Sequence, residues 1–183
     1  MQIFPSRDSF KIENLWIHGY EVAFLASSLT DLVPMTDPGE CFLAGLMHDL
    51  GRIVFCSMDQ KKFISIAPGD DLLDWERTLF GCTHADAGAW FIRELGLPGE
   101  LAEITRYHHD PSHAKDQKAM TNVVALAEAL AGSYISRKEG DSIWNSDIDE
   151  IVKQYSISNE DLKSIGDKLV NAMPDIEKVF SKT

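Results

Sequence analysis

An all-α helical bundle is the fold class this chain predicts, on three observations. Its apolar residues recur at three- and four-residue steps. Capping residues and glycines mark where those runs start and stop. Alternating, strand-like segments are almost absent. With 183 residues the chain makes one ordinary domain, or one domain with a short appendage. That length buries a full core without staples.

The elements follow in chain order. Leu15, His18, Val22, Leu25 and Leu29 share one face of a first helix. Asp37-Pro38-Gly39-Glu40 opens the second: Asp37 suits the N-cap, Pro38 the first turn, and Glu40 completes a capping box. This helix is expected to run through His48-Asp49 to about Ser57. A short helix is expected over residues 61–67, and another over 72–80, stopped by Gly81. Thr83 caps a helix that begins at His84 and ends at Gly96. Leu97-Pro98 starts the next, which ends near His109 with Pro111 beyond it. Residues 120–135 form a long apolar helix, poor in charge and therefore central. Residues 137–149 are polar, contain Gly140 and Asp141, and read as a loop or excursion. Ser158-Asn159-Glu160-Asp161 resembles another capping box, followed by Leu162, Ile165 and Leu169 at helical spacing. The organisation expected is a helical core over 1–140 and a C-terminal helical extension, 141–183, packed on it.

Composition narrows the partners. The formal net charge is −12, which repels phosphate backbones and anionic membrane surfaces, so neither nucleic acid nor membrane is expected. No stretch is expected to reach a membrane span of roughly 20 apolar residues, and residues 1–10 lack a signal-peptide layout. Cys41, Cys56 and Cys82 are odd in number and form no CxxC pair. They read as reduced packing cysteines of a cytoplasmic protein.

The chemistry-bearing residues are histidines and acids at spaced points. His48-Asp49 lies in the apolar run Leu46-Met47-His48-Asp49-Leu50-Gly51-Arg52, where burying either side chain is costly without a partner. Neighbouring helical residues diverge by roughly 100°, so the two can flank a shared ion. Arg52, four residues after His48 and on its helix face, either holds a phosphate oxygen or pairs with a surface carboxylate. Gly51 costs a helix about 1 kcal/mol against alanine and suggests close backbone approach. His18 is a buried histidine bonded to backbone or a ligand. His84 reads alone as a first-turn residue, and His108-His109 as a solvated C-terminal cap favoured by the helix dipole. His113 is given no role. Glu128 is the lone acid in an apolar helix, and lies at an exposed edge or pairs with a cation inside the bundle. Together, His18, His48, Asp49 and Glu128 supply donors suited to a divalent transition ion. His84, His108 and His109 could hold a second ion bridged by Asp49, and two such ions would activate water and clamp a phosphoryl group.

The order His18, His48-Asp49, then an acid in a late helix resembles the HD superfamily of metal-dependent phosphohydrolases. The finer resemblance is to its HDOD branch, the HD-related output domains of bacterial signalling proteins. It rests on Leu15-Trp16-Ile17-His18, on residues 42–52 and 81–88, on Gly96-Leu97-Pro98 and on His108-His109-Asp110-Pro111, and covers about residues 10–135. The resemblance implies an HD-like helical bundle with His18, His48, Asp49 and Glu128 as ligands of a divalent ion (Fe, Mn, Zn, Ni or Mg) and His84, His108 and His109 as ligands of a second. It implies a regulatory module that binds a signalling protein or a small phosphorylated ligand. The alternative is an active phosphohydrolase using Asp49 and Arg52. Several departures count against cyclic-di-GMP hydrolysis. Glu128 stands where an HD hydrolase carries Asp, and Arg52 replaces the lysine of the HD-GYP group. Asn14 stands where that group tends to have an acid, and the Gly-Tyr-Pro signature is absent. The usual HDOD domain also begins with a further helical segment, for which residues 1–13 leave no room. The expectation is the C-terminal lobe of a longer protein or a shortened member.

Overall fold

Ten α-helices and one 3-10 turn make up the described part of the computed structural model, residues 12–66, 72–135 and 144–180, with no strand among those residues. The helices are α1 (Ile12–Leu29), α2 (Pro38–Met47), α3 (Leu50–Met58), α4 (Gln60–Phe63) and α5 (Leu72–Phe80). They continue with α6 (His84–Glu94), α7 (Gly99–Tyr107), the 3-10 turn Pro111–His113, α8 (Lys118–Ile135), α9 (Ser146–Gln154) and α10 (Asn159–Phe180). The all-α class predicted from the periodicity is the observed one. Expectations for residues 1–11, for residue 67 and for residues 137–143, including the domain boundary at 140/141, lie outside the described residues.

The starts of the helices follow the capping chemistry. The Asp37 carboxylate accepts from the Gly39 and Glu40 amides at 2.8 and 2.9 Å. The Thr83 hydroxyl accepts from the Asp86 amide. Ser158 and Asp161 exchange bonds reciprocally, the Asp161 carboxylate taking the Ser158 amide and the Ser158 hydroxyl taking the Asp161 amide. Gly81 and Gly96, at φ +83° and +67°, end α5 and α6 in the left-handed region that glycine enters without strain.

Helix α8 is the axis of the bundle. From Thr121 to Ala131 it is buried on every side, against α1, α2, α7, α9 and α10. Its alanines at 125, 127, 129 and 131 let neighbouring helices approach, and Val123, Val124 and Leu126 are wholly enclosed. Ile148, Ile151, Leu162, Ile165 and Leu169 of α9 and α10 join the same core as Val22, Leu25 and Leu29 of α1.

Three expectations are corrected. The helix opened by Asp37 does not continue to Ser57: it breaks at His48-Asp49, where Asp49 has φ −95° and ψ 12°. The break lets α2 pack on α1 while α3 turns onto α6, which one straight helix could not do. A Cβ on Gly45 would come within 2.8 Å of the Ala23 backbone. One on Gly51 would overlap the His84 carbonyl and sit 2.7 Å from the Gly88 nitrogen. Both contacts require glycine. Of the two roles the sequence left to Arg52, pairing with a carboxylate is the one observed, and that carboxylate is the buried Asp49 at 3.1 Å. Second, α9 begins inside the segment expected to be a loop, because the Asn145 side chain caps the amides of Asp147 and Ile148. Third, Pro38–Met58, 21 residues, is long and apolar enough to cross a membrane. Its apolar residues come from two helices facing different neighbours, and its centre carries His48, Asp49 and Arg52.

Candidate metal centre

The helix break places a histidine and a carboxylate at the middle of the bundle. Asp49 occupies the N-cap position of α3, yet its carboxylate caps no amide. It is directed instead to Arg52 at 3.1 Å, His84 Nε2 at 3.1 Å, His48 Nε2 at 3.8 Å and His18 Nε2 at 4.0 Å. His18 comes from α1, His84 from the first position of α6, His108 and His109 from the end of α7, and Glu128 from the buried axis α8. His84 Nε2 lies 3.0 Å from His109 Nε2 and 3.3 Å from His108 Nε2. Glu128 Oε2 is 3.9 Å from His108 Nε2 and 3.8 Å from His109 Nδ1. The structure thus brings together all seven residues read from the sequence as ligands, with Arg52 beside them. His113 stays apart at the surface, paired with Asp110.

The alternatives left open by the sequence resolve by burial. His48, His84 and His108 are enclosed, and so is Glu128. The His108-His109 pair is no solvated cap, and Glu128 is not at an exposed edge. Among the residues of the centre, solvent reaches the side chains of His18, Arg52 and His109, which keep 27%, 23% and 18% of their surface. Arg52 also lies over the Phe63 ring, 6.0 Å from its centroid.

The outer contacts aim the ring nitrogens inward. His48 Nδ1 donates to the Gly45 carbonyl and His108 Nδ1 to the Thr105 carbonyl, each at 2.6 Å. Both rings therefore present Nε2 to the centre, the tautomer a metal ligand needs. Burial pushes both His48 and His108 below the ordinary imidazole range, well below it for His108. Burial also acts on His18 and His84, but acids outweigh it and raise both: chiefly Glu21 and Asp49 for His18, and Asp49 and Glu76 for His84. Burial pushes the Asp49 carboxyl up, yet His48, Arg52, His84 and His18 together hold it well below the usual range.

The donors fall into three overlapping groups, each within 4.8 Å: His84, His108 and His109; His18, His48 and Glu128; and His48, Asp49 and His108. Two of these atoms, His48 Nε2 and Glu128 Oε2, are buried with no hydrogen-bond partner. Both are acceptors, and buried acceptors without a donor are rare. A divalent cation between them and His18 satisfies both, so the residues present fit an ion of the HD type.

Two acids of the site were not read from the sequence. Glu76, from α5, is fully buried and grips His84. It lies among Asp74, Arg77 and Thr78, so its helix reads as a solvated face. Glu21 is buried one turn after His18, with its carboxylate 3.8 Å from the His18 ring. Its position beside Val22, Ala23 and Leu25 is the same signal that marked Glu128.

Comparison with known proteins places this geometry in a family. The HDOD domain model matches residues 1–111. Ribonuclease Y of Mesoplasma florum is 24% identical over 169 residues, 92% of this chain and 26% of its own length. A Marinobacter aquaeolei VT8 protein provisionally assigned to signal transduction superposes with a TM-score of 0.77 at 20% identity, over 97% of this chain and 40% of that one. A Shewanella amazonensis SB2B protein provisionally assigned as a phosphohydrolase gives 0.71 at 22% identity, over 97% and 66%. At these identities the solved structures share the fold alone. The chain spans about a quarter of the curated relatives it matches, 24% and 26% of their lengths. With the family model matching more than half of its residues, this chain belongs to the HDOD domain family.

Proposed function

We propose that this chain is a regulatory HDOD module of a bacterial signalling protein and that its histidine–carboxylate centre holds divalent ions. The orphaned pair His48 Nε2 and Glu128 Oε2 carries the reading. Each unsatisfied buried acceptor costs about 1–3 kcal/mol, and a cation relieves both. The imidazole-rich donor set suits Fe, Zn or Ni, while Asp49 and Glu128 extend it to Mn and Mg. The longer acid at Glu128 and the missing Gly-Tyr-Pro signature set the centre apart from cyclic-di-GMP phosphodiesterases. The output is binding of a signalling protein, or of a small phosphorylated ligand held by Arg52 at the solvent-reached side of the centre. Cytoplasmic location goes with that role.

Phosphoester hydrolysis is the second reading, and the position of Asp49 favours it. One oxygen faces His84 and His48 and the other faces Arg52 and His18, so the carboxylate touches members of both groups of donors. Two ions in such a centre supply an activated water and a clamp on the phosphoryl group. Asp49 would hold both and Arg52 would orient the ester. The relative named ribonuclease Y suggests a phosphodiester. The net charge of −12 weighs against nucleic acid here.

Elemental analysis of chelator-free protein, with a phosphomonoester, phosphodiester, nucleotide and RNA panel in manganese, tests both. The expected result is bound ion without turnover. Turnover that Asp49→Ala abolishes replaces the regulatory reading with the hydrolytic one. Protein that neither carries nor takes up an ion overturns both.

A further inference from the structure

We infer that Glu76 is a positioning residue for an ion held by His84, His108 and His109, acting through His84 and not as a ligand itself. The inference rests on the metal-binding reading above. Glu76 is the one fully buried charged side chain on α5, whose Asp74 and Arg77 pair in solvent. A carboxylate buried that deeply is strongly disfavoured unless its oxygens are satisfied. Here a single residue satisfies it. Oε2 accepts from the His84 amide at 2.7 Å and from His84 Nδ1 at 2.7 Å, and Oε1 lies 2.9 Å from the same Nδ1.

The contact fixes His84 twice over. The amide belongs to the first position of α6, where it has no intrahelical acceptor, so Glu76 caps the helix and holds the backbone. The bond to Nδ1 holds the ring and keeps a proton there, leaving Nε2 for the centre. Nε2 is thereby set 3.1 Å from Asp49, 3.0 Å from His109 and 3.3 Å from His108. His108 is oriented the same way, but by the neutral Thr105 carbonyl. Within this group of three, His84 is the ring whose outer nitrogen is hydrogen-bonded to a carboxylate, since Glu128 Oε2 stays 3.8 Å from His109 Nδ1, and such a bond also makes the ligating nitrogen more basic. The reversal at Gly81, with φ +83°, folds α5 back so that Glu76 reaches a residue eight positions ahead.

Cobalt(II) titration of the metal-stripped full chain, read by visible absorption and by elemental analysis, tests this. Wild type is expected to take up two ions. Glu76→Gln keeps the volume and an acceptor oxygen but removes the charge. It should keep the ion at His18, His48 and Glu128 and bind the second roughly 10–100-fold more weakly, with a changed absorption band. Thr83→Ala is the comparison: it removes a cap of the same helix without touching a ring, and should bind both ions as wild type does. Equal weakening in the two variants overturns the inference, since Glu76 then only supports the helix start. Loss of both ions in Glu76→Gln overturns it for the same reason. Wild-type binding by Glu76→Gln overturns it while the metal reading stands. No uptake by wild type brings down that reading and the inference with it.

Discussion

Glu128 shows what a buried acid costs one residue. Its carboxylate lies in the most enclosed of the described helices, 4% exposed, with one oxygen unpartnered. In metal-free protein Glu128→Leu should therefore raise stability, by about 1–2 kcal/mol, while removing the ion at His18 and His48. Denaturant unfolding in chelator gives the first number and cobalt uptake the second. A variant less stable than wild type without metal would show that the acid supports the fold. At this scale the histidines and acids that converge on the centre were legible, because a histidine or acid in an apolar helix is anomalous wherever it stands. Glu76 was not: a charged residue among charged neighbours carries no such mark, and its burial depends on a helix eight residues away in sequence.

At the scale of elements, caps were legible and packing was not. Asp37, Thr83 and Ser158 act within a few residues of themselves, so their chemistry is local. The break at His48-Asp49 was missed because nothing local demands it. It follows from the separate destinations of α2 and α3. A longer-range cap secures the entry to α8. The Glu103 carboxylate of α7 accepts from the amides of Lys115, Asp116 and Gln117 at 2.6, 2.9 and 3.4 Å. Slight burial pushes its carboxyl up, but these amides win and hold it below 4.5. A carboxyl depressed on folding adds stability above its unfolded value and loses it as pH falls through the folded one. Glu103→Gln should thus cost about 1 kcal/mol near pH 7, with the difference closing as pH drops below 4.5. Urea midpoints of both proteins at the two pH values measure it, and an equal loss at both would sink the argument.

Across the whole molecule, the centre ties α1, the α2–α3 junction, α6, α7 and α8 together. An ion that binds only the folded arrangement stabilises it by mass action, about 2.7 kcal/mol at a free concentration 100 times the Kd. Stripping the metal should then lower the unfolding temperature by roughly 5–10 °C for a chain of this length. A thermal scan in chelator against one in manganese shows it. Identical midpoints would mean that no ion occupies the folded centre.

What the sequence by itself determined was the helical class, the order and caps of most helices, and which seven histidines and acids, with one arginine, stand out as candidates for one centre. Those features are written in local periodicity and in polar residues out of place. Only the tertiary structure decided where the second helix breaks, that Arg52 pairs with Asp49, and that Glu76 stands behind His84. It also decided that two buried acceptors, His48 Nε2 and Glu128 Oε2, are left without a hydrogen-bond donor. The reason is the range of the interactions. Capping and periodicity act over one or two turns, whereas the centre is assembled from residues up to 110 positions apart, from His18 to Glu128, by packing onto a common axis.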